Sequence, residues 1–463
     1  MNNHIDRRDF LRMLGAGTAA ASTGLFVGCG NKQTASTAIS SNSSIEPTGE
    51  MTYRINPHTG DRVSILGYGC MRWPTREKED GSGVEIDQET VNALVDYAIE
   101  HGVNYFDTAP VYVQALSEQA TGIALHRHPR DTYFVATKLS SHRVNMPQWR
   151  TLEGAKALFE QSLKNLQVDY IDYYLIHGVG MGGGMDFLEE RIYNNGVLDF
   201  LLKQREEGRI RNLGWSFHGD VNVFNHMVDC GIQWDFAQIQ LNYCDWQDAS
   251  GNNINAEYLY DELHKRNIPA VIMEPLLGGR LSRLNPMMMD KLRRIRPDDT
   301  PASWAFRFAG SPEGVLTVLS GMTYMEHLQE NVRTFSPLDP LTEEERVALA
   351  EVKDWMLHSD FIPCTQCQYC MPCPYGVNIP AVFDHYNRCV NDELVSKSSQ
   401  DPNYREARRA FLVGYDRSVP KLRQAGHCIG CNECLRKCPA QIQIPTQMHR
   451  IDDYVERLKQ GTL

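Results

Sequence analysis

Two cysteine runs near the C-terminus constrain this chain more than any other feature of its sequence. Within each run, two or three other residues separate one cysteine from the next. The first run comprises Cys364, Cys367, Cys370 and Cys373, and the second comprises Cys428, Cys431, Cys434 and Cys438. Thiolates at this spacing can face one cubane from a short loop, and each run ends in Cys-Pro, as cluster-binding runs do. The sequence therefore predicts two [4Fe–4S] clusters and a role in electron transfer.

Two other uses of cysteine fit this pattern less well. Paired disulfides are typical of small secreted folds with dispersed cysteines, and structural zinc sites do not require a repeated third Cys followed by Cys-Pro. In two-cluster proteins the fourth cysteine of each run usually serves the other cluster. We therefore expect Cys438 to join the first three cysteines and Cys373 to join the second run. The shorter final spacing of the first run leaves a rearrangement of this assignment open.

The N-terminal segment predicts export in a folded state. Arg7 and Arg8 precede Phe-Leu-Arg and a short apolar stretch, which is typical of a twin-arginine signal, and the stretch is too short to span a bilayer. Residues 25–29 resemble a lipoprotein cleavage box with Cys29 as the lipidated residue. A basic disordered tail is the alternative. We expect a signal at residues 1–29, a Ser/Thr-rich linker at 30–50, the twin-arginine translocase as a partner, and a lipoprotein on the periplasmic side.

The net charge argues against one class of partner. The chain has a formal net charge of −12 and a pI near 5.7. Nucleic-acid-binding proteins carry basic surfaces that neutralise phosphates. We therefore expect no nucleic-acid partner.

Between about residues 60 and 335, short apolar runs alternate with amphipathic, helix-period stretches. The predicted strands are Val63–Tyr68, Asn104–Asp107, Tyr133–Lys138, Asp172–His177, Ile210–Trp215, Phe236–Leu241, Ala270–Met273 and Leu316–Leu319. Eight strands with helical connections favour a closed barrel over an open sheet. The expected fold is therefore α/β: a (β/α)8 TIM barrel at residues 51–336 and a small helical ferredoxin-like domain at residues 337–463.

Ionisable side chains close several of these strands, in strand order. Asp107 ends the second strand, Lys138 the third and His177 the fourth, and Tyr112 follows in the loop after Asp107. Chemistry in a barrel of this kind collects at the C-terminal ends of its strands. An Asp–Lys pair is usually a structural ion pair and a buried Tyr usually belongs to a core, but the joint pattern favours an active site.

Over residues 60–335 the sequence resembles the aldo/keto reductases. The resemblance rests on Asp-Thr-Ala-x-x-Tyr at residues 107–112, the later Lys138 and His177, Gly-Trp-Ser at 214–216, and Glu-Asn at 330–331. It implies that Asp107, Tyr112, Lys138 and His177 are catalytic. Carbonyl reduction needs a proton donor at oxygen, and a lysine beside a tyrosine is expected to lower the pKa of the phenol. His177 would align the substrate oxygen by a hydrogen bond.

The same resemblance implies a nicotinamide dinucleotide, NAD(P)(H), bound along the barrel mouth. The implied contacts are Ser216, Gln238, Leu276, Gly278, Gly279, Gly321, Met322, Thr323, Glu330 and Asn331. Phe217 replaces the usual Asn beside the nicotinamide. Family members that bind a 2′-phosphate carry cationic residues where this chain has Gly321-Met322 and His327, so we expect no strong preference for NADP.

The expected function is thus an exported oxidoreductase of the aldo/keto reductase kind. It would interconvert a small-molecule carbonyl and alcohol, exchange electrons with an unidentified redox partner through two clusters, and hold its dinucleotide tightly. Two alternatives are an electron-transfer protein whose barrel only docks a partner, and a cytoplasmic reductase with structural clusters. The intact catalytic set argues against the first, and the twin-arginine segment argues against the second.

Overall fold

The computed structural model describes residues 47–78, 83–143, 146–248 and 255–463. The predicted export signal, with Cys29, lies outside the described residues, as does nearly all of the 30–50 linker. Among helices in the described ranges, none combines the length and the apolar character that crossing a membrane requires.

Eight parallel strands close into a barrel, as predicted. They are β1 Leu66–Gly69, β2 Tyr105–Asp107, β3 Phe134–Leu139, β4 Ile171–Val179, β5 Ile210–Phe217, β6 Phe236–Gln240, β7 Ala270–Met273 and β8 Val315–Ser320. Each strand pairs with its neighbour in sequence, and β8 closes the barrel against β1 through Leu319 and Gly67. Every residue of β4 is buried, as expected for a parallel strand covered on both faces.

The predicted first strand divides into two elements. Its early part, Arg62–Ser64, pairs with Tyr53–Ile55 in an antiparallel hairpin. Only the segment from Leu66 onward joins the barrel. The apolar run Val63–Tyr68 does not reveal this break because both parts are buried.

Helices follow the strands around the barrel. They are Gln88–Glu100, Ser117–Leu125, Leu152–Leu166, Gly184–Leu188, Val197–Glu206, Val221–Asp229, Ala256–Lys265, Pro286–Arg293, Pro301–Gly310 and Met325–Phe335. Local signals start several of them. For example, the Thr151 side chain accepts a hydrogen bond from Gly154 N and caps the third helix, which buries Leu158, Phe159 and Leu163 against the core.

The helix Glu343–His358 belongs to the barrel rather than to the C-terminal domain. It begins with a capping box, in which Thr342 and Glu345 satisfy each other's backbone N–H groups. Its buried face, including Leu349 and Val352, packs into the barrel core, whereas a separate core begins at Ile362. The packing therefore places the domain boundary later than the predicted 336/337, because the composition change at residue 336 does not show where an amphipathic helix packs.

The C-terminal domain is helical, as predicted. Its three helices are Ile379–Asn391, Tyr404–Ser418 and Ile444–Gln460, and the first and third have proline at their second position. They share a small apolar core that includes Phe383, Phe411 and Met448. The cysteine runs form the loops that precede the first and third of these helices.

Candidate active site

The four candidate catalytic residues meet in one cavity of about 660 Å³ at the C-terminal ends of the strands. Asp107 ends β2, Lys138 lies near the end of β3, and His177 lies on β4. Tyr112 enters from the loop after β2 and lines the same cavity. The sequence placed these residues at strand ends, and the parallel barrel brings those ends together.

Asp107 and Lys138 form a buried ion pair. Lys138 Nζ lies 2.5 Å from Asp107 Oδ1 and donates a second hydrogen bond, of 2.8 Å, to the Thr108 carbonyl. Burial raises the pKa of Asp107 and lowers the pKa of Lys138, while their mutual attraction opposes both shifts. The ammonium group is therefore fixed in position beneath the cavity.

Tyr112 is held against this pair by an unusual stretch of backbone. The next three residues, Val113, Gln114 and Ala115, all have positive φ, between 47° and 69°. Lys138 Nζ lies 4.8 Å from the centroid of the Tyr112 ring. Burial raises the pKa of Tyr112 well above 10, and the nearby Asp107 carboxyl adds to the shift.

This shift opposes the sequence-based expectation that Lys138 would lower the pKa of Tyr112. Desolvation outweighs the attraction of a lysine whose charge is already paired with Asp107. The phenol therefore stays neutral at pH 7 and keeps the proton that a general acid must donate.

His177 is oriented by a hydroxyl and a second histidine. Its Nδ1 lies 2.8 Å from Ser140 Oγ, and the ring of His142 lies 4.4 Å away, centroid to centroid. Burial lowers the pKa of His177 well below its usual value, and the His142 and Lys138 charges act in the same direction. His177 is thus neutral, and when Ser140 donates to Nδ1, the ring hydrogen lies on Nε2, where it is available to a ligand in the cavity.

All but one of the residues expected to contact a dinucleotide line this cavity. They are Ser216, Gln238, Leu276, Gly278, Gly279, Gly321, Thr323, Glu330 and Asn331. Met322 does not line it: its side chain is buried and its carbonyl accepts a 2.6 Å hydrogen bond from Tyr68 Oη. Assigning Met322 by its place in the motif was wrong because the chain turns its side chain into the core after β8.

Two observations fit a nicotinamide dinucleotide. The buried Gln238 Oε1 has no hydrogen-bond partner among the described residues, and the N–H of a carboxamide would satisfy it. Gly278 and Gly279 adopt φ of 70° and 97°, and neither has a side chain to block the close approach of a phosphate, although the Gly279 N–H already donates a 2.9 Å hydrogen bond to the Leu276 carbonyl. Ser216, in contrast, already accepts a 2.9 Å hydrogen bond from Gly178 N.

The first cysteine run forms part of the wall of the same cavity. Thr365, Cys367 and Tyr369 line it together with the candidate catalytic residues. Arg72 Nη2 donates a 3.3 Å hydrogen bond to the Thr365 carbonyl, and the Arg143 guanidinium lies 5.3 Å from the Tyr369 ring centroid. Sequence reasoning missed this wall because cysteine spacing carries no information about what the loop packs against.

The loop that contains Gly278 and Gly279, which are among the expected dinucleotide contacts and would lie at the pyrophosphate, packs directly on the loop of the first cysteine run. A Cβ atom added to Gly278 would lie 2.4 Å from backbone atoms of Thr365, whereas one added to Gly279 would meet nothing within 4 Å. The lack of a side chain at Gly278 is therefore what allows the barrel loop and the cysteine loop to touch.

Glu274 is a further residue at this junction, and it is half-buried. It follows β7, lines the cavity and has φ of 55°, and its Oε2 has no hydrogen-bond partner in the described part of the chain. Burial raises the pKa of Glu274 to about 8, and the Asp245 carboxyl acts in the same direction, so the side chain is mostly neutral at pH 7. The sequence placed Glu274 at a strand end but did not indicate its neutral state.

The cysteines surround two spaces in the C-terminal domain. The inner cysteine site is lined by Cys364, Cys367, Cys370 and Cys438. The outer cysteine site is lined by Cys373, Cys428, Cys431 and Cys434, with Cys370 on its border. Each run thus contributes its fourth cysteine to the other site, and these donor sets fit two [4Fe–4S] clusters. No three potential ligands in the described ranges converge on a single metal ion, so this fit rests on the two cysteine-lined spaces.

Comparison with known proteins defines the class of each domain. Residues 65–354 match the aldo/keto reductase family, and residues 363–443 match the 4Fe-4S dicluster domain. The first match covers more than half of the chain. The chain therefore belongs to the aldo/keto reductase family, and it is an oxidoreductase of that type with a ferredoxin-like domain.

Individual relatives match the barrel region. Aldo-keto reductase YhdN of Bacillus subtilis (strain 168) is 35% identical over 328 residues, which are 67% of this chain and 91% of that protein. L-galactose dehydrogenase of Arabidopsis thaliana is 25% identical over 319 residues, which are 64% of this chain and 91% of that protein. The holo form of aldo-keto reductase AKR11C1 from Bacillus halodurans superposes with a TM-score of 0.51 at 25% identity, covering 65% of this chain and 96% of that one.

Proposed function

We propose that this protein is an exported iron–sulfur oxidoreductase that interconverts a carbonyl and an alcohol, with electrons relayed through two [4Fe–4S] clusters. The observation that carries the proposal is the position of Cys367, which lines the same cavity as Tyr112 and His177. When bound, the clusters supply single-electron transfer and NAD(P)(H) supplies hydride transfer.

The chain's own residues handle the proton and the substrate oxygen. Tyr112 donates its hydroxyl proton to the carbonyl oxygen during reduction and takes it back during oxidation. Lys138, 4.8 Å from the Tyr112 ring centroid, stabilises the negative charge that develops there, and Asp107 holds the ammonium in place. The neutral His177 donates to the same substrate oxygen and fixes its direction.

The order of the cysteines supports a path between the solvent and the barrel. Cys431, in the outer cysteine site, is exposed. Cys370 borders both cysteine sites, and Cys367 lies at the barrel cavity. The proposed path runs in this order or its reverse.

A dinucleotide retained through many turnovers is part of the proposal. The contact of Gly278 with Thr365 places the cysteine loop against the loop expected to hold pyrophosphate. Retention suits a protein that works outside the cytoplasm, as the Arg7-Arg8 segment suggests. At the 2′-phosphate end, His327 lines the cavity where a stronger cation would favour NADP, so either form of the dinucleotide is compatible.

The test uses the full chain, purified without oxygen. It should contain about eight irons, in two four-iron clusters. Titanium(III) citrate, without added nucleotide, should support multiple turnovers of butanal as a probe carbonyl, with two titanium(III) ions supplying the two electrons and water the two protons for each alcohol formed, and Cys431→Ala should remove this activity with about half of the iron. Activity that depends wholly on added NAD(P)H and ignores the loss of a cluster would refute the relay.

Export and anchoring have their own test. Replacing Arg7 and Arg8 by lysine should retain the protein in the cytoplasm of a producing cell, and Cys29→Ala should release it from the membrane fraction without blocking export. Export that continues in the double-lysine variant would contradict the twin-arginine route.

A further inference from the structure

We propose that the surface around the outer cysteine site docks a small acidic electron-carrier protein. This inference rests on the proposed function and identifies the chemistry of its redox partner. It comes from the exposed apolar and basic side chains that surround Cys431.

The centre of this surface is apolar and exposed. Tyr375, Leu422 and Ile429 are 48%, 79% and 60% exposed, respectively. Tyr375 and Ile429 line the outer cysteine site together with Cys431. Leu422 joins them because its carbonyl lies beside Gly376, next in sequence to Tyr375. Exposed apolar side chains grouped around one redox site are typical of a protein contact.

Basic side chains surround this centre. Lys421 and Arg423 are exposed on a short turn, and the Arg423 carbonyl accepts a 2.9 Å hydrogen bond from Asn378 N, which holds the turn against the segment after Cys373. Arg436 and Lys437 lie in the turn before Cys438. None of these four side chains forms an ion pair with another residue of the described ranges. We name them, with Tyr375, Leu422 and Ile429, the outer basic surface.

The sign of the charge identifies the partner. The stretch 417–437 contains five basic residues and one acidic residue, Glu433, in a chain with a net charge of −12. Two further acidic neighbours are the exposed Asp416, which accepts a 2.9 Å hydrogen bond from Gln424, and the half-buried Asp452, beside Gly426. A local positive patch on an acidic protein steers a negatively charged partner toward that patch and repels it elsewhere.

An acidic protein fits this surface better than an anionic membrane. The exposed Cys431 lines the outer cysteine site together with Tyr375, Ile429 and Lys437, so a partner bound there approaches a cluster ligand directly. A partner that carries its own redox centre makes use of that approach, whereas a lipid surface does not.

The test measures association with an acidic plant-type [2Fe–2S] ferredoxin as the probe and with a basic cytochrome c as the opposite-charge control. The variant is the double reversal Lys421→Glu/Arg423→Glu. The matched control is Arg405→Glu/Arg409→Glu, the same change of charge at exposed positions early in the helix Tyr404–Ser418. Stopped-flow absorbance follows cluster reduction by the reduced ferredoxin, and surface plasmon resonance follows binding of the oxidised form.

We expect the reversal at Lys421 and Arg423 to lower the association rate with the ferredoxin by about tenfold or more at low ionic strength, and to remove most of its salt dependence. The association rate of the control variant with ferredoxin should stay within about twofold of the rate of the unmodified protein. Cytochrome c should associate faster with the Lys421→Glu/Arg423→Glu variant. Equal ferredoxin rates in the two variants would overturn the proposal. The proposal would also be overturned if the protein bound anionic phosphatidylglycerol vesicles and the reversal at Lys421 and Arg423 alone abolished that binding while leaving the ferredoxin rates unchanged.

Titanium(III) citrate separates this proposal from the proposed function. It should reduce both variants to the same final extent, because it does not need a protein-docking surface. Probe turnover after chemical reduction, combined with ferredoxin rates that ignore the reversal, would overturn only the docking surface. Absence of turnover after full chemical reduction would overturn the proposed function. The ferredoxin association rates of the two variants would then still support or overturn the docking surface.

Discussion

The inner and outer cysteine sites lie in one small domain but have opposite surroundings. The inner site faces the barrel, where Glu274 is neutral and Lys138 is paired with Asp107. The outer site faces solvent, with Cys431 exposed and the nearby Lys421 and Arg423 without ion pairs in the described part of the chain. The surroundings of the inner cysteine site therefore depend on close packing, and those of the outer cysteine site depend on net charge. Substitutions of residues other than the cysteines should therefore have large effects on catalysis and stability at the inner site, and small effects on stability at the outer site.

The largest effect should come from Tyr112 at the inner end. Tyr112→Phe removes the proposed proton donor, so carbonyl turnover should fall by about 10²–10⁴-fold, with iron content unchanged. Tyr105→Phe is the matched control, because Tyr105 is buried in β2 and its hydroxyl has no partner among the described residues. Steady-state kinetics of butanal reduction would measure both variants. Full activity in Tyr112→Phe would show that the catalytic assignment is wrong.

The next effect should be a pH dependence of stability that comes from Glu274. Its pKa in the folded protein, about 8, lies above the ordinary 4.5, so the folded state holds a proton that the unfolded chain releases. Stability should therefore be greatest near pH 5 and fall as the pH rises toward 8, by a few kcal/mol at about 1.4 kcal/mol per pKa unit.

Glu274→Gln should flatten this dependence, because the amide does not ionise. The melting temperature measured between about pH 5 and 9 reports the slope, and Glu433→Gln, at an exposed position of the outer site, should leave the slope as it is. An unchanged slope in Glu274→Gln would contradict the assignment to this carboxyl.

A smaller effect should distinguish two adjacent glycines. Gly278→Ala places a methyl group against Thr365, whereas Gly279→Ala meets open space, and both alter a residue with positive φ. Their difference therefore isolates the contact between the barrel loop and the cysteine loop, and overpacking there should cost about 1–3 kcal/mol. Thermal unfolding and iron retention would measure it. Equal losses in the two variants would mean that backbone strain alone explains them.

The smallest effect should be at the outer basic surface. Lys421→Ala/Arg423→Ala should change the free energy of unfolding by no more than about 0.5 kcal/mol, because exposed side chains without partners contribute little to stability. Chemical denaturation under anaerobic conditions would check this. A loss of several kcal/mol would indicate that these side chains support the fold and would weaken the contrast between the two sites.

Features with a local signal in the sequence were predictable. The eight barrel strands follow from alternating apolar and amphipathic runs, and their closed arrangement is confirmed. Asp107, Lys138 and His177 could be placed because each ends a predicted strand, and each lies at or within two residues of the C-terminal end of the observed strand. The capping box of Thr342 and Glu345 could be read from its spacing.

Features that depend on packing between distant segments were not predictable. Nothing near Cys367 or Tyr369 in sequence indicates that they line the barrel cavity. The raised pKa of Tyr112 depends on how much solvent the folded protein excludes, which no motif reports. For the same reason, the burial of Met322 and the neutral state of Glu274 became apparent only from the fold.

The cysteine loop that completes the cavity also bears on how such a protein evolves and matures. Without Thr365, Cys367 and Tyr369 the barrel cavity would have a gap in its wall. The C-terminal domain is therefore part of the binding pocket of this protein. A substitution on one side of the contact at Gly278 must be compensated by a substitution on the other side, so we expect the two domains to evolve together. Because the loop forms part of the wall, the binding pocket is complete only when the cysteine loop is folded, so a protein that fails to fold this loop is also expected to lose its pocket.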